Sequence, residues 1–92
     1  MDELPKIAEL IVPILATLNE NGPLNHQKIE SKIVADLEIP NNLRRLLRSG
    51  NRTELNYRLS WARTKAKNLG YVTREDSGLW KITEAGQSYL RK

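Results

Sequence analysis

Between Arg52 and Gly70 an apolar residue recurs at helical spacing: Leu55, Leu59, Ala62, Ala66 and Leu69. At about 100° per residue these five fall within one narrow arc of an α-helix. Gly70 stands where the C′ residue of that helix is expected. Such a stretch restricts the fold strongly. Its stripe must be covered by apolar elements from elsewhere in the chain, and its charged surface must face water or an anion. Asn56, Ser60, Arg63 and Lys67 flank the stripe on one side, Arg58 and Lys65 on the other. Tyr57, Trp61, Thr64 and Asn68 point roughly opposite.

The covering elements are legible on both sides. Leu4, Ile7, Ala8, Ile11, Ile14, Leu15 and Leu18 predict a first helix, with Asp2 and Glu3 near its N-terminus. Pro13 lies inside that pattern and predicts a kink where the bond to the Glu9 carbonyl is lost. Asn21-Gly22-Pro23 ends the helix, and Leu24 fits a very short strand. Asn25 is a good N-cap for a second helix carrying Ile29, Ile33, Val34 and Leu37, with His26 in its first turn. Pro40-Asn41-Asn42 opens a short third segment with Leu43, Leu46 and Leu47 as its apolar side, closed by Ser49-Gly50-Asn51. After the key helix, Tyr71–Arg74 and Leu79–Ile82 read as two strands around the turn Glu75-Asp76-Ser77-Gly78, with Val72, Trp80 and Ile82 facing inward. Thr83 caps a last helix that packs through Ala85, Tyr89 and Leu90. The order predicts a mainly α fold with a small β-hairpin, a winged helix-turn-helix. It would form a single domain over residues 1–92, with its key helix at about 53–69 and its wing at about 71–82.

Charge and composition narrow the function. The net charge of +4 is unevenly spread: residues 1–46 carry five Lys/Arg and seven Asp/Glu, whereas residues 47–92 carry ten and four. The second half, at +6 against −2 for the first, suggests a face for a polyanion. With no cysteine, disulfides and thiolate metal sites are impossible, and a single histidine does not build a zinc site. No apolar run is long enough to span a membrane and no signal peptide is visible, so a cytoplasmic protein is expected.

Three strings carry a family resemblance: Arg58-x-x-Trp61-Ala62-Arg63-Thr64; Leu69-Gly70-Tyr71-Val72; and Gly78-x-Trp80-x-Ile82-Thr83-x-x-Gly86. With Leu4-Pro5, Pro13-Ile14-Leu15 and Ser49-Gly50, they resemble the N-terminal winged-helix domain of Mrr-type restriction endonucleases over nearly the whole chain. The resemblance implies that this domain recognises DNA, typically with modified bases, while a following nuclease domain cuts it. The chain stops soon after Gly86, so it is expected to be an excised domain or a stand-alone relative. Leu69 departs from the alanine frequent there in the family.

A non-enzymatic chain is expected. A nuclease of this superfamily needs an Asp and a Glu-x-Lys on adjacent strands to hold a metal ion, and Glu30-Ser31-Lys32 lies in a helical pattern. No nucleophile–base spacing or Gly-rich phosphate loop is present, and no cofactor or metal is expected. The partner expected is double-stranded DNA. Phosphates attract Arg52, Arg63, Lys67 and Arg74 or Lys81, while Asn56, Tyr57 and Ser60, with Thr64 beside them, are placed for base edges. Asn56 suits adenine, and Tyr57 a thymine methyl or a phosphate. Trp61 is expected to be buried under the segment at 40–48, and Arg58 to pair with an acidic residue of the first half. Two alternatives use the same fold: a stand-alone transcription regulator, which needs a second copy of itself as partner, and a protein-interaction module.

Overall fold

Leu55, Leu59, Ala62 and Ala66 have no exposed surface, and the architecture is the means of covering them. A computed structural model describes residues 1–92. A 3-10 turn at Ala8–Leu10 leads directly into α1 (Ile11–Asn21). There follow α2 (His26–Asp36), α3 (Asn41–Arg44), a hairpin of β1 (Leu47–Ser49) and β2 (Arg52–Thr53), and then α4 (Glu54–Asn68). A second hairpin, β3 (Val72–Arg74) and β4 (Trp80–Ile82), precedes α5 (Glu84–Leu90). The fold is thus mainly helical with two small antiparallel hairpins. No helix is long and apolar enough to cross a membrane.

One core serves all elements. Ile14, Leu15 and Leu18 of α1 and Ile29 and Ile33 of α2 join the α4 stripe, with Val72 and Trp80 closing it from the second hairpin. Fully burying each Leu or Ile side chain contributes about 1.5–3 kcal/mol. The two alanines of α4 keep its surface low where neighbours press on it. Leu24 forms an isolated bridge to Trp80, with hydrogen bonds of 3.1 and 2.8 Å, so the turn between α1 and α2 is pinned to β4.

The expected caps at Asn25 and Thr83 are present, and Thr53 adds one at the start of α4. Asn25 accepts from the Lys28 N–H at 2.8 Å, Thr53 from the Asn56 N–H at 3.0 Å, and Thr83 from the Gly86 N–H at 3.1 Å. α4 ends in a Schellman arrangement. Gly70, at φ +82°, donates to the Lys67 carbonyl and Tyr71 donates to the Ala66 carbonyl.

The first helix differs from its expected form. Residues 2–6 are not helical, and Glu9 reaches back to accept from the Lys6 N–H at 2.8 Å, as in half of a capping box. Pro13 then falls in the first turn of α1, where a backbone N–H has no intrahelical partner, so it breaks no bond. The third segment differs too. Only Leu43 is buried; Leu46 and Leu47 are 48% and 64% exposed, because the chain leaves α3 after one turn and enters β1. Leu69, the last residue of the expected stripe, is also exposed, being the C-cap at which α4 turns away from the core.

At the last helix, Gly86 is buried where Ala85 and Tyr89 were expected to pack. A Cβ on Gly86 would strike the Tyr71 carbonyl and lie 2.8 Å from Ile82 Cγ1. Tyr89 instead stacks on Tyr71, ring centroids 4.6 Å apart, at the surface. The Thr-x-x-Gly string therefore encodes a cap and a close approach of α5 to the start of β3. Gly86→Ala is expected to destabilise by about 1–3 kcal/mol, as for forced overpacking. Thermal unfolding followed by circular dichroism reads this as a fall of about 4–8 °C in Tm per kcal/mol; an unchanged Tm would mean that α5 shifts freely.

Candidate nucleic-acid interface

Three groups of polar side chains lie along α4, and each is set by a different neighbour. The first ties the helix to the start of the chain. Arg58 Nε donates to Glu54 Oε2 at 2.7 Å, and its Nη1 donates to the carbonyls of Leu4 and Pro5 at 3.1 Å each. Its partners in the first half are backbone carbonyls rather than the acidic residue expected, because the N-terminal segment crosses α4 in extended form. Arg48 donates to the other oxygen of Glu54 at 3.1 Å, so one carboxylate joins β1 to α4. The hydrogen bond from Arg58 holds the Glu54 carboxyl below the ordinary glutamate value, against an opposing effect of burial and with further help from Arg48.

The second group surrounds the helix N-terminus. Asn56 Oδ1 accepts from Arg52 Nε at 3.0 Å, and its Nδ2 donates to Glu30 Oε1 at 3.5 Å. Half-buried, Asn56 bridges α4 to α2, and both ends of the amide are engaged within the protein. The Arg48 guanidinium lies 3.6 Å from the Tyr57 ring centroid and that of Arg52 lies 5.5 Å from it. The inserted segment thus covers Tyr57, not Trp61. Trp61 is 52% exposed beside Ile7, Thr64 and Lys65, which corrects the expectation of burial. Periodicity places Trp61 opposite the stripe, and the insert leans on the other flank.

The third group lines a cavity of about 350 Å³ between α4 and the second hairpin. Ser60, Arg63, Thr64 and Lys67 come from α4, Arg74 from β3 and His26 from the start of α2; Trp80 and Asn68 complete the lining. No acidic side chain lines it. Arg74 and Trp80 are register partners across the hairpin, so both face α4, while Thr73 and Lys81 face away. Five of the nine residues expected to meet DNA are therefore brought together here. Arg52, Asn56 and Tyr57 stand apart near the helix N-terminus, and Lys81 is exposed on the far side of the hairpin. His26 and Trp80 were legible as a first-turn and a core residue, but nothing in the local sequence places them beside α4.

Arg63 is not displayed as expected. It is only 8% exposed, and its guanidinium lies 5.5 Å from the Trp80 ring, a ring that Arg74 also approaches at 5.8 Å. It takes part in neither ion pair of the molecule, and its Nε is buried without a hydrogen-bond partner. Burial pushes its pKa down, the charge of Glu30 opposes this, and Arg74 and Arg52 add to it. An uncompensated buried charge costs several kcal/mol in general, so this arrangement is held at the expense of stability.

Comparison with known proteins adds one finding. The model of the Mrr N-terminal domain matches residues 8–92. No curated protein and no solved structure matches the chain.

The ion-pair hub has a pH signature. A carboxyl whose folded pKa is depressed stabilises the fold fully above the ordinary glutamate range, and loses that contribution as pH falls through the folded value. Glu54→Gln is expected to lower Tm at pH 7, with the gap to wild type closing as the solution is acidified below the ordinary glutamate pKa. Melting curves from pH 7 down to pH 3 test this; a gap that persists at pH 3 would exclude the ion pairs as its source.

Proposed function

The chain belongs to the Mrr N-terminal domain family, and on that premise we propose that it is the double-stranded-DNA recognition module of a restriction system. In this reading the fold is a winged helix. α4 is the recognition helix that enters the major groove, and the β3–β4 hairpin is the wing beside it. In this reading cutting belongs to a separate nuclease domain of such a system.

The observation that carries the reading is the acid-free cavity between helix and hairpin. Its rim offers Lys67 and Arg74 to a phosphate backbone, and Lys81 extends that edge along the hairpin. In this reading Ser60 and Thr64, one helical turn apart, and Trp61, exposed beside Thr64, meet base edges. Arg52, Asn56 and Tyr57 support this surface from within: they fix the helix N-terminus to α2 and β1, and contact DNA through what they leave exposed.

Fluorescence-anisotropy titrations of labelled duplex at several salt concentrations test the proposal. Binding should weaken steeply with salt, and Lys67→Gln combined with Arg74→Gln should reduce the slope of log K against log salt by about two, at every sequence. A folded double mutant with the wild-type slope would sink the placement of the helix and wing. Parallel titrations with duplexes carrying modified and unmodified bases should separate for the wild type and converge for Trp61→Ala if the indole reads the groove; unchanged discrimination by Trp61→Ala would remove it from the reading surface. Absence of any salt-dependent binding by the wild type would instead favour a protein-interaction module.

A further inference from the structure

The one buried cation without a partner lies in that same cavity, and it asks for an anion. Arg63 offers a planar fork of donors, yet no carboxylate or carbonyl accepts from it. Its surroundings repeat the demand. Lys67 follows one turn later on α4, Arg74 faces it from β3, and the Ser60 and Thr64 hydroxyls stand on the rim. Three cationic side chains repel one another here with no acid in the lining, Glu30 acting on Arg63 only from outside it, and the two hydroxyls can donate to an anion between them. The Trp80 ring lies 5.5 Å from the guanidinium and is the aromatic side of the site.

We propose that this cavity is a socket for a single backbone phosphodiester of bound duplex, with Arg63 as its base. The proposal rests on the DNA-recognition reading and deepens it, because it separates one fixed phosphate from the mobile contacts of the surface. A phosphodiester suits the site better than a carboxylate. Its two non-bridging oxygens can take the guanidinium fork and a hydroxyl together. The bound phosphate supplies the acceptor that Arg63 lacks, so the site is organised before DNA arrives.

The socket makes a prediction that a structural arginine would not. Arg63→Met removes an uncompensated buried charge, so its Tm should equal or exceed that of the wild type. The same variant should bind duplex about tenfold more weakly at 100 mM salt, with a salt slope shallower by about one. Sodium phosphate should raise the Tm of wild-type protein above its value in sodium chloride of equal ionic strength, and should leave Arg63→Met unmoved. Should Arg63→Met fail to fold, Arg63→Lys keeps the charge and loses the fork: it should keep the slope and lose affinity about threefold. Wild-type protein that binds duplex with a steep slope, while a folded Arg63 variant binds identically, overturns the socket and leaves the recognition reading intact. A wild type that does not bind duplex overturns both. Phosphate-dependent melting that needs Arg63, found together with duplex binding that does not, overturns the assignment to a DNA phosphate.

Discussion

Burial of the α4 stripe is the constraint on which the molecule depends. Leu55 and Leu59 are leucines with no exposed surface, and Ala62 and Ala66 are short side chains that let other elements approach. To cover four positions on one helix the chain uses α1, α2 and the second hairpin together. The rest of α4 is left free of core duties, and Asn56, Tyr57, Ser60, Thr64 and Lys67 lie there.

Electrostatics divides the helix along its length. At the N-terminal end charges are compensated: Glu54 takes two arginines, Asn56 mediates between Arg52 and Glu30, and Arg58 ends on two carbonyls. Beyond Leu59 no ion pair forms, and Glu30 acts on Arg63 only through its charge. Arg63, Lys67 and Arg74 gather without a carboxylate, in the cleft where the helix meets the hairpin. The compensated end fixes the position of the helix, and the uncompensated part concentrates positive potential where a polyanion would lie.

How far the site could be read from the sequence follows from the range of each interaction. Ser60, Arg63 and Lys67 share a flank of α4 by helical arithmetic, with Thr64 on the neighbouring face, and the grouping of the first three is legible. That Arg74 joins them depends on the hairpin register, Val72 opposite Ile82 and Arg74 opposite Trp80, which a strand pattern alone leaves free to slip. The expected burial of Trp61 failed for a related reason. The second part of the insert at 40–48 turns into β1 and brings Arg48 onto Tyr57.

By itself the sequence determined the elements whose signals are local. These are the α4 stripe, the Asn25 and Thr83 caps, the Gly70 terminus and the basic second half of the chain. Each rests on spacings of three or four residues or on one residue's backbone preference, and such preferences act wherever the segment lies. Only the tertiary structure decided which flank of α4 is covered. The hairpin carrying Trp80 and Arg74 closes over Arg63 and buries a charge, while Trp61 stays in solvent. Those outcomes depend on neighbours that are distant in sequence, and helical periodicity carries no information about them.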